Sequence, residues 1–228
     1  WASRIPTVVE RHALDGSQLG LLLLTLAAGA IASFPLAGRA ADIFGAARTT
    51  RFVALAYAIA LVLIACAPNI WLTGVALCLF GGHGGMDITM NSWAGEAERH
   101  IGRPVMSTFH ALWSLGAGAG AVGGYLATSL GLGLVAHFLL ASVTFWALAT
   151  WLAAIDWPST TRRPVSGEKR FPLPRGALFW IGLVAMCAAL GEGAIADWGA
   201  LFLVSVTSAT QAQGALGYAV FSAAMVAM

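Results

Sequence analysis

"IWLTGVALCLFGGHGGMDITMNSWA", residues 70–94, opens on a largely apolar run and then places His83, Asp87 and Asn91 at four-residue intervals. On a helix such residues project from one face. A membrane-spanning helix needs about 20 predominantly apolar residues, so the stretch can cross a bilayer only if it carries this polar stripe with it. Whether it does depends on the rest of the chain. Of the 228 residues, 59% are hydrophobic and 10% are Asp, Glu, Lys or Arg, against about 25% charged in ordinary globular proteins. A soluble domain of this size cannot hide that much apolar surface. Twenty-seven glycines and nine tryptophans fit helices that pack closely in lipid and anchor indole rings at its two surfaces. An all-α integral membrane protein is expected.

By the same length criterion six complete spans are predicted: Leu19 to Ala41, Phe52 to Ala67, Ile70 to Ala94, Val105 to Leu130, Leu132 to Ile155, and Ala177 to Phe202. A further run begins at Ala215, and "WASRIP" at the start reads as the tail of a preceding helix. Both ends read as cut, so a fragment is expected. Ser17 is a candidate helix cap, and Pro68-Asn69 reads as a tight turn.

The basic residues alternate between connections. Arg39, Arg48, Arg51, Arg99, Arg103, Arg162, Arg163, Lys169, Arg170 and Arg175 fall on one side, and Arg4 and Arg11 on the other. The positive-inside rule makes the ten-residue side cytoplasmic. The segment from Asp156 to Pro174, with four prolines and four basic residues, reads as a linker between two helical groups. The expected division is a six-helix N-terminal half over residues 1–156, a linker over 157–174, and the start of a second half over 175–228. The tryptophans near span ends, Trp71, Trp93, Trp151, Trp157, Trp180 and Trp198, read as interfacial anchors.

No basic stripe suits nucleic acid. Cys66, Cys78 and Cys187 stand apart in apolar runs, matching neither a metal-ligand spacing nor a disulfide framework. No metal and no cofactor are expected.

Between the first two spans, "GRAADIFGAARTTR" (residues 38–51) resembles the loop signature of the major facilitator superfamily, with Gly38, Asp42, Gly45 and Arg48 at the matching positions. An Asp at a helix end can cap a neighbouring helix or pair with Arg. The resemblance implies a major facilitator-type helical bundle, here running from the end of helix 1 into helix 8 of an expected twelve. It also implies a monomer when full length, in a bacterial cytoplasmic membrane. "WASRIPTVVERHALDGSQLG", "DITMNSWAGEAERHIGRPVMSTFHALWSLGAGAGAVGG" and "EGAIADWGALFL" further resemble a bacterial branch near the fucose permeases. In that group a helix-four carboxylate, an Asn four residues on, and a polar residue after Phe in helix five line the sugar and proton site. The matching positions are Asp87, Asn91 and His110, with Asp standing for Glu and His for Asn.

A carboxylate within a span costs roughly 2.5 to 3.5 kcal/mol on insertion scales, so it ordinarily faces a cavity or a partner. Asp87 is accordingly the leading candidate, with Asn91, His83 and His110 beside it. Taking the hairpin between their helices as centred near Arg99, Asp87 and His110 are expected at similar depth, about 10 Å above the cytoplasmic span ends. Glu192 in helix seven is a pathway candidate, and Asp197 an interfacial or gate residue. "GAGAGAVGG", residues 116–124, contains a literal GxGxxG, but no strand precedes it and the dinucleotide reading falls. Gly116, Gly120 and Gly124 instead form a small-residue face for helix packing. The segment also resembles the helix-five motif of drug exporters, with Ala121 where that motif has Pro.

The expected function is secondary transport of a small polar solute, a sugar or related metabolite, coupled to protons by alternating access. Proton-driven efflux is the alternative within the class. An intramembrane enzyme using His83, Asp87 and His110 is the alternative from another class, and lacks a recognisable nucleophile or a complete zinc ligand set.

Overall fold

The computed structural model describes residues 1–161 and 175–227. The rest of the expected linker, including Lys169, lies outside the described residues. The described residues form helices and no strand. A 3-10 turn (Ala2–Arg4) leads into α1 (Ile5–His12), which carries Pro6 in its first turn, where a missing N–H costs nothing. Then come α2 (Gly16–Phe44), α3 (Ala46–Cys66), α4 (Ile70–Gly81), α5 (Gly84–Ile101), α6 (Met106–Ser129), α7 (Leu134–Leu152) and α8 (Ala177–Ala194). A π-helical segment (Ile195–Gly199) joins α8 to α9 (Ala200–Val206), and α10 (Gln211–Ala227) follows.

Four crossings are long and apolar enough for a membrane among the described residues: α2, α3, α7, and the run from α8 through α9. With α6 at 24 residues, its glycines dilute the apolar character rather than the length. The outward surfaces match a lipid solvent. Trp71 is 82% exposed, and Leu36 and Phe52 are 69% and 72% exposed. A multi-pass helical membrane bundle results.

Three local expectations change. Asp15, not Ser17, caps α2: its carboxylate accepts from the Gln18 N–H at 2.7 Å while the Gln18 side chain accepts from the Asp15 N–H at 3.0 Å. This reciprocal box satisfies two otherwise orphaned donors. The predicted loop of residues 38–51 is a single residue, Gly45 at φ +88°, because α2 and α3 run into it from both sides. Finally, the span expected from Ile70 to Ala94 is two helices. At the junction the Gly85 N–H reaches back three residues to Gly82 at 3.1 Å, a tightened turn. Five residues, four of them Gly, weaken the helix here, each Gly costing about 1 kcal/mol relative to Ala.

Those glycines also let backbones touch. A Cβ on Gly81 would run into the backbone of Leu26, and one on Gly29 into that of Cys78, so α2 and α4 cross with no side chain between them. Asn69 caps α4, accepting from the Leu72 N–H at 3.0 Å. The core beside this crossing draws Val8, Leu22, Ile64, Leu77, Phe80 and Phe138 from five helices.

α10 lies along α6. The close contacts there are Gly118 against Ser222 and Gly124 against Ser3 and Ala215. Gly116 and Gly120 have open space in front of them, so of the expected Gly116–Gly120–Gly124 face Gly124 alone meets a neighbour, and Gly118 supplies the other close approach.

Candidate functional site

α5 is held to α2 by its glycine face: Gly84 lies against Phe34 and Ala30, and Gly85 against Ala37 and Ser33. Asp87 is two residues beyond Gly85, roughly 200° round the helix. The face that carries the carboxylate is therefore left open, and Asp87 is exposed. Asn91 Nδ2 donates to Asp87 Oδ1 at 2.9 Å, one turn apart. The pair presents a carboxylate with remaining acceptor capacity beside an amide oxygen, a set able to bind hydroxyl or amine groups.

His83 does not join that open pair. It sits at the α4–α5 junction, where Nδ1–H donates to the Phe80 carbonyl at 2.8 Å. Its ring lies 5.0 Å from Tyr57 and 5.4 Å from Phe80. Tyr57 stacks on Phe80 at 4.7 Å and meets Phe145 edge-on at 5.6 Å. The tightened turn draws His83 into this aromatic group, although Asp87 is only one turn away.

His110 is exposed near the start of α6. It stands four residues from that helix end, about 6 Å, whereas Asp87 stands fourteen from the end of α5, about 21 Å. Similar depth is thus not what the structure gives. The expectation assumed that α5 stops where its apolar residues do. Instead "GEAERHI" continues the helix to Gly102, whose φ of +75° ends it, and moves the hairpin centre past Arg99.

Glu192 is exposed on α8, and Asp197 lies half-buried in the π-helical segment. Such segments recur at functional sites. In α10, Tyr218 stacks on Phe221 with ring centres 6.2 Å apart. Tyr57 and Tyr218 were not singled out from the sequence, yet the chain has only three tyrosines. A phenol within an apolar helix was the available signal.

At the Arg-rich end a second cluster gathers around Trp157. Glu96 accepts from Trp157 Nε1 at 2.9 Å, and from the Thr160 hydroxyl at 2.8 Å and its N–H at 3.0 Å. Arg51 donates to the carbonyls of Ala153 and Ile155 at 2.9 and 2.6 Å and lies 5.3 Å from the Trp93 ring centre. Ser159 Oγ accepts from the Ala47 N–H at 3.0 Å, capping α3 from 112 residues away. Asp42 and Arg48 flank this turn and are exposed, and Gly38 has open space before it. The cap on α3 is therefore Ser159 rather than Asp42. Trp93 and Trp157 are half-buried and face each other, ring centres 6.4 Å apart, rather than standing separately as lipid anchors.

No family model matches the chain, and no solved structure matches it. Three curated proteins do. An uncharacterized transporter of Sinorhizobium fredii is 45% identical over 229 residues, covering all of this chain and 61% of that protein. The membrane protein MosC of Rhizobium meliloti is 33% identical over 235 residues, covering all of this chain and 55% of its own. An uncharacterized MFS-type transporter of Yersinia pestis is 31% identical over 226 residues, covering 99% of this chain and 58% of its own. The chain thus spans 55% to 61% of the length of these relatives. Along nearly its whole length it is similar to membrane proteins, two of them named as transporters and one of the MFS type, and its helices fit a fragment of such a bundle.

Proposed function

We propose that the chain belongs to a secondary active transporter that moves a small polar solute, a sugar or related metabolite, across a bacterial inner membrane with a proton as coupling ion. The observation that carries this is the Asp87–Asn91 pair, hydrogen-bonded at 2.9 Å on the open face of a helix in an otherwise apolar bundle. A carboxylate there can take and release a proton, and the amide beside it can hold a solute hydroxyl in only some of those states. Glu192, His110 and His83 are the further groups proposed along the path. Residues 1–156 are proposed as one helical half and residues 175–228 as the start of the other, the charge- and proline-rich segment between them supporting the division. The fucose permease-like branch rests on the sequence motifs alone.

Uptake of labelled sugars and sugar alcohols into energised vesicles tests the proposal. Accumulation that collapses with a protonophore supports it. Absence of any gradient-driven solute movement by the full-length protein would remove it.

A further inference from the structure

We propose that the tail of α1 is a polar latch that closes the Arg-poor end of the path by gripping the start of α10, and that it must release each time this end opens. The idea rests on the transport reading above. Gln211, the first residue of α10, uses both ends of its amide on one turn of α1. Thr7 Oγ1 donates to Gln211 Oε1 at 2.6 Å, and Gln211 Nε2 donates to Glu10 Oε2 at 2.7 Å. These contacts join residues 204 and 201 positions apart.

One side of the latch is fixed. Arg4, 3% exposed, donates to the Leu132 carbonyl in the α6–α7 turn at 3.1 Å, and Arg11 donates to the Ala65 carbonyl at the end of α3 at 2.6 Å. α1 is thereby tied to α3, α6 and α7 while it reaches across to α10. Just before it, Ser3 is 6% exposed and lies against Gly124 of α6, the same glycine that Ala215 of α10 approaches.

The other side can let go. Beside the latch an open cleft of about 470 Å³ is lined by Arg4, Thr128, Leu132, Thr210 and Gln211, so water reaches the gripping amide. Hydrogen bonds that water can replace hold weakly on balance. Below the latch α6 and α10 meet through Gly118, Ala219 and Ser222, small residues without interlocking side chains. The buried residues of this interface, Ala121, Gly124 and Ala127 on α6 and Ala215, Ala219 and Ser222 on α10, are all small, so parting them draws no large buried side chain out of a pocket.

The test uses the intact protein in open membrane sheets, where both faces are reachable, with Cys66, Cys78 and Cys187 replaced and Ser3→Cys as reporter. A polar maleimide reaches position 3 only when α10 withdraws. Gln211→Ala, which removes both hydrogen bonds, should raise the labelling rate about tenfold, and Thr7→Val, which removes one, about threefold. If Gln211→Ala does not fold, Gln211→Asn takes its place. Unchanged labelling in folded Thr7→Val and Gln211 variants would overturn the latch. Because labelling needs no solute, faster labelling in a protein that transports nothing would leave the latch standing and remove the transport reading. Unchanged labelling in a protein that accumulates solute would remove the latch alone.

Discussion

The indole N–H of Trp157 donates to the carboxylate of Glu96 at 2.9 Å, fastening the chain just beyond α7 to the end of α5. Together with Arg51 and Ser159 this makes residues 157–160 part of the packed end of the helices before them, ahead of the proline- and arginine-rich segment.

The fastening should depend on pH in a defined sense. Burial raises the Glu96 pKa, but the hydrogen bonds from Thr160 and Trp157 outweigh it and hold the carboxyl below its ordinary value of 4.5. A carboxyl whose folded value is depressed contributes in full above the ordinary value, and the contribution fades as pH falls through the lower folded value. Hydrogen exchange of residues 156–161, corrected for intrinsic rates, should be flat from neutral pH down to about 5 and rise below 4.5. Glu96→Gln should exchange faster at neutral pH and lose the pH response. A response that persists in Glu96→Gln assigns it to another group.

Asp87→Asn fixes the neutral state of the open pair. Proton-driven accumulation should disappear while solute exchange down its gradient survives. Accumulation near wild-type levels in Asp87→Asn vesicles would reduce the Asp87–Asn91 bond to a structural contact.

Glycine substitutions should separate into two groups. Gly81→Ala or Gly29→Ala forces a methyl into a facing backbone and should cost about 1 to 3 kcal/mol, read as a drop in melting temperature in detergent. Gly120→Ala meets open space and should be neutral or gain up to about 1 kcal/mol from helix propensity. Equal losses at positions 81 and 120 would contradict the crossing of α2 and α4.

The charge asymmetry predicts sidedness. A single cysteine at Asn69 should react with an impermeant reagent added to intact cells, and one at Lys169 should not. The reverse pattern would invert the orientation and place the α1 latch on the cytoplasmic face.

The membrane bundle was legible because bilayer thickness fixes how much apolar sequence a helix needs, and runs such as Leu19 to Ala41 meet that length directly. Helix ends were not legible from polarity, since a helix that leaves the lipid continues through Glu96 and Arg99 as readily as through Leu. That is why the Asp87–His110 depth relation failed. The junction at Gly82 was hidden because an apolar count treats glycines as neutral filler, although they weaken the helix and admit a facing backbone. The Ser159 cap and the Gln211 grip join residues more than a hundred positions apart, and no local pattern announces them. The Asp87–Asn91 spacing was visible because four residues make one helical turn, which is the one distance a sequence states outright.

The cap on α3 also bears on how the chain is made. Ala47 waits for Ser159, 112 residues downstream, to satisfy its N–H. At about 5 to 20 residues per second, a ribosome needs roughly 6 to 22 seconds to deliver that hydroxyl. Through that interval the amino end of α3 must rely on water or on the insertion machinery, while the segments of α4–α5, α6 and α7 are threaded into the membrane before α3 is finished.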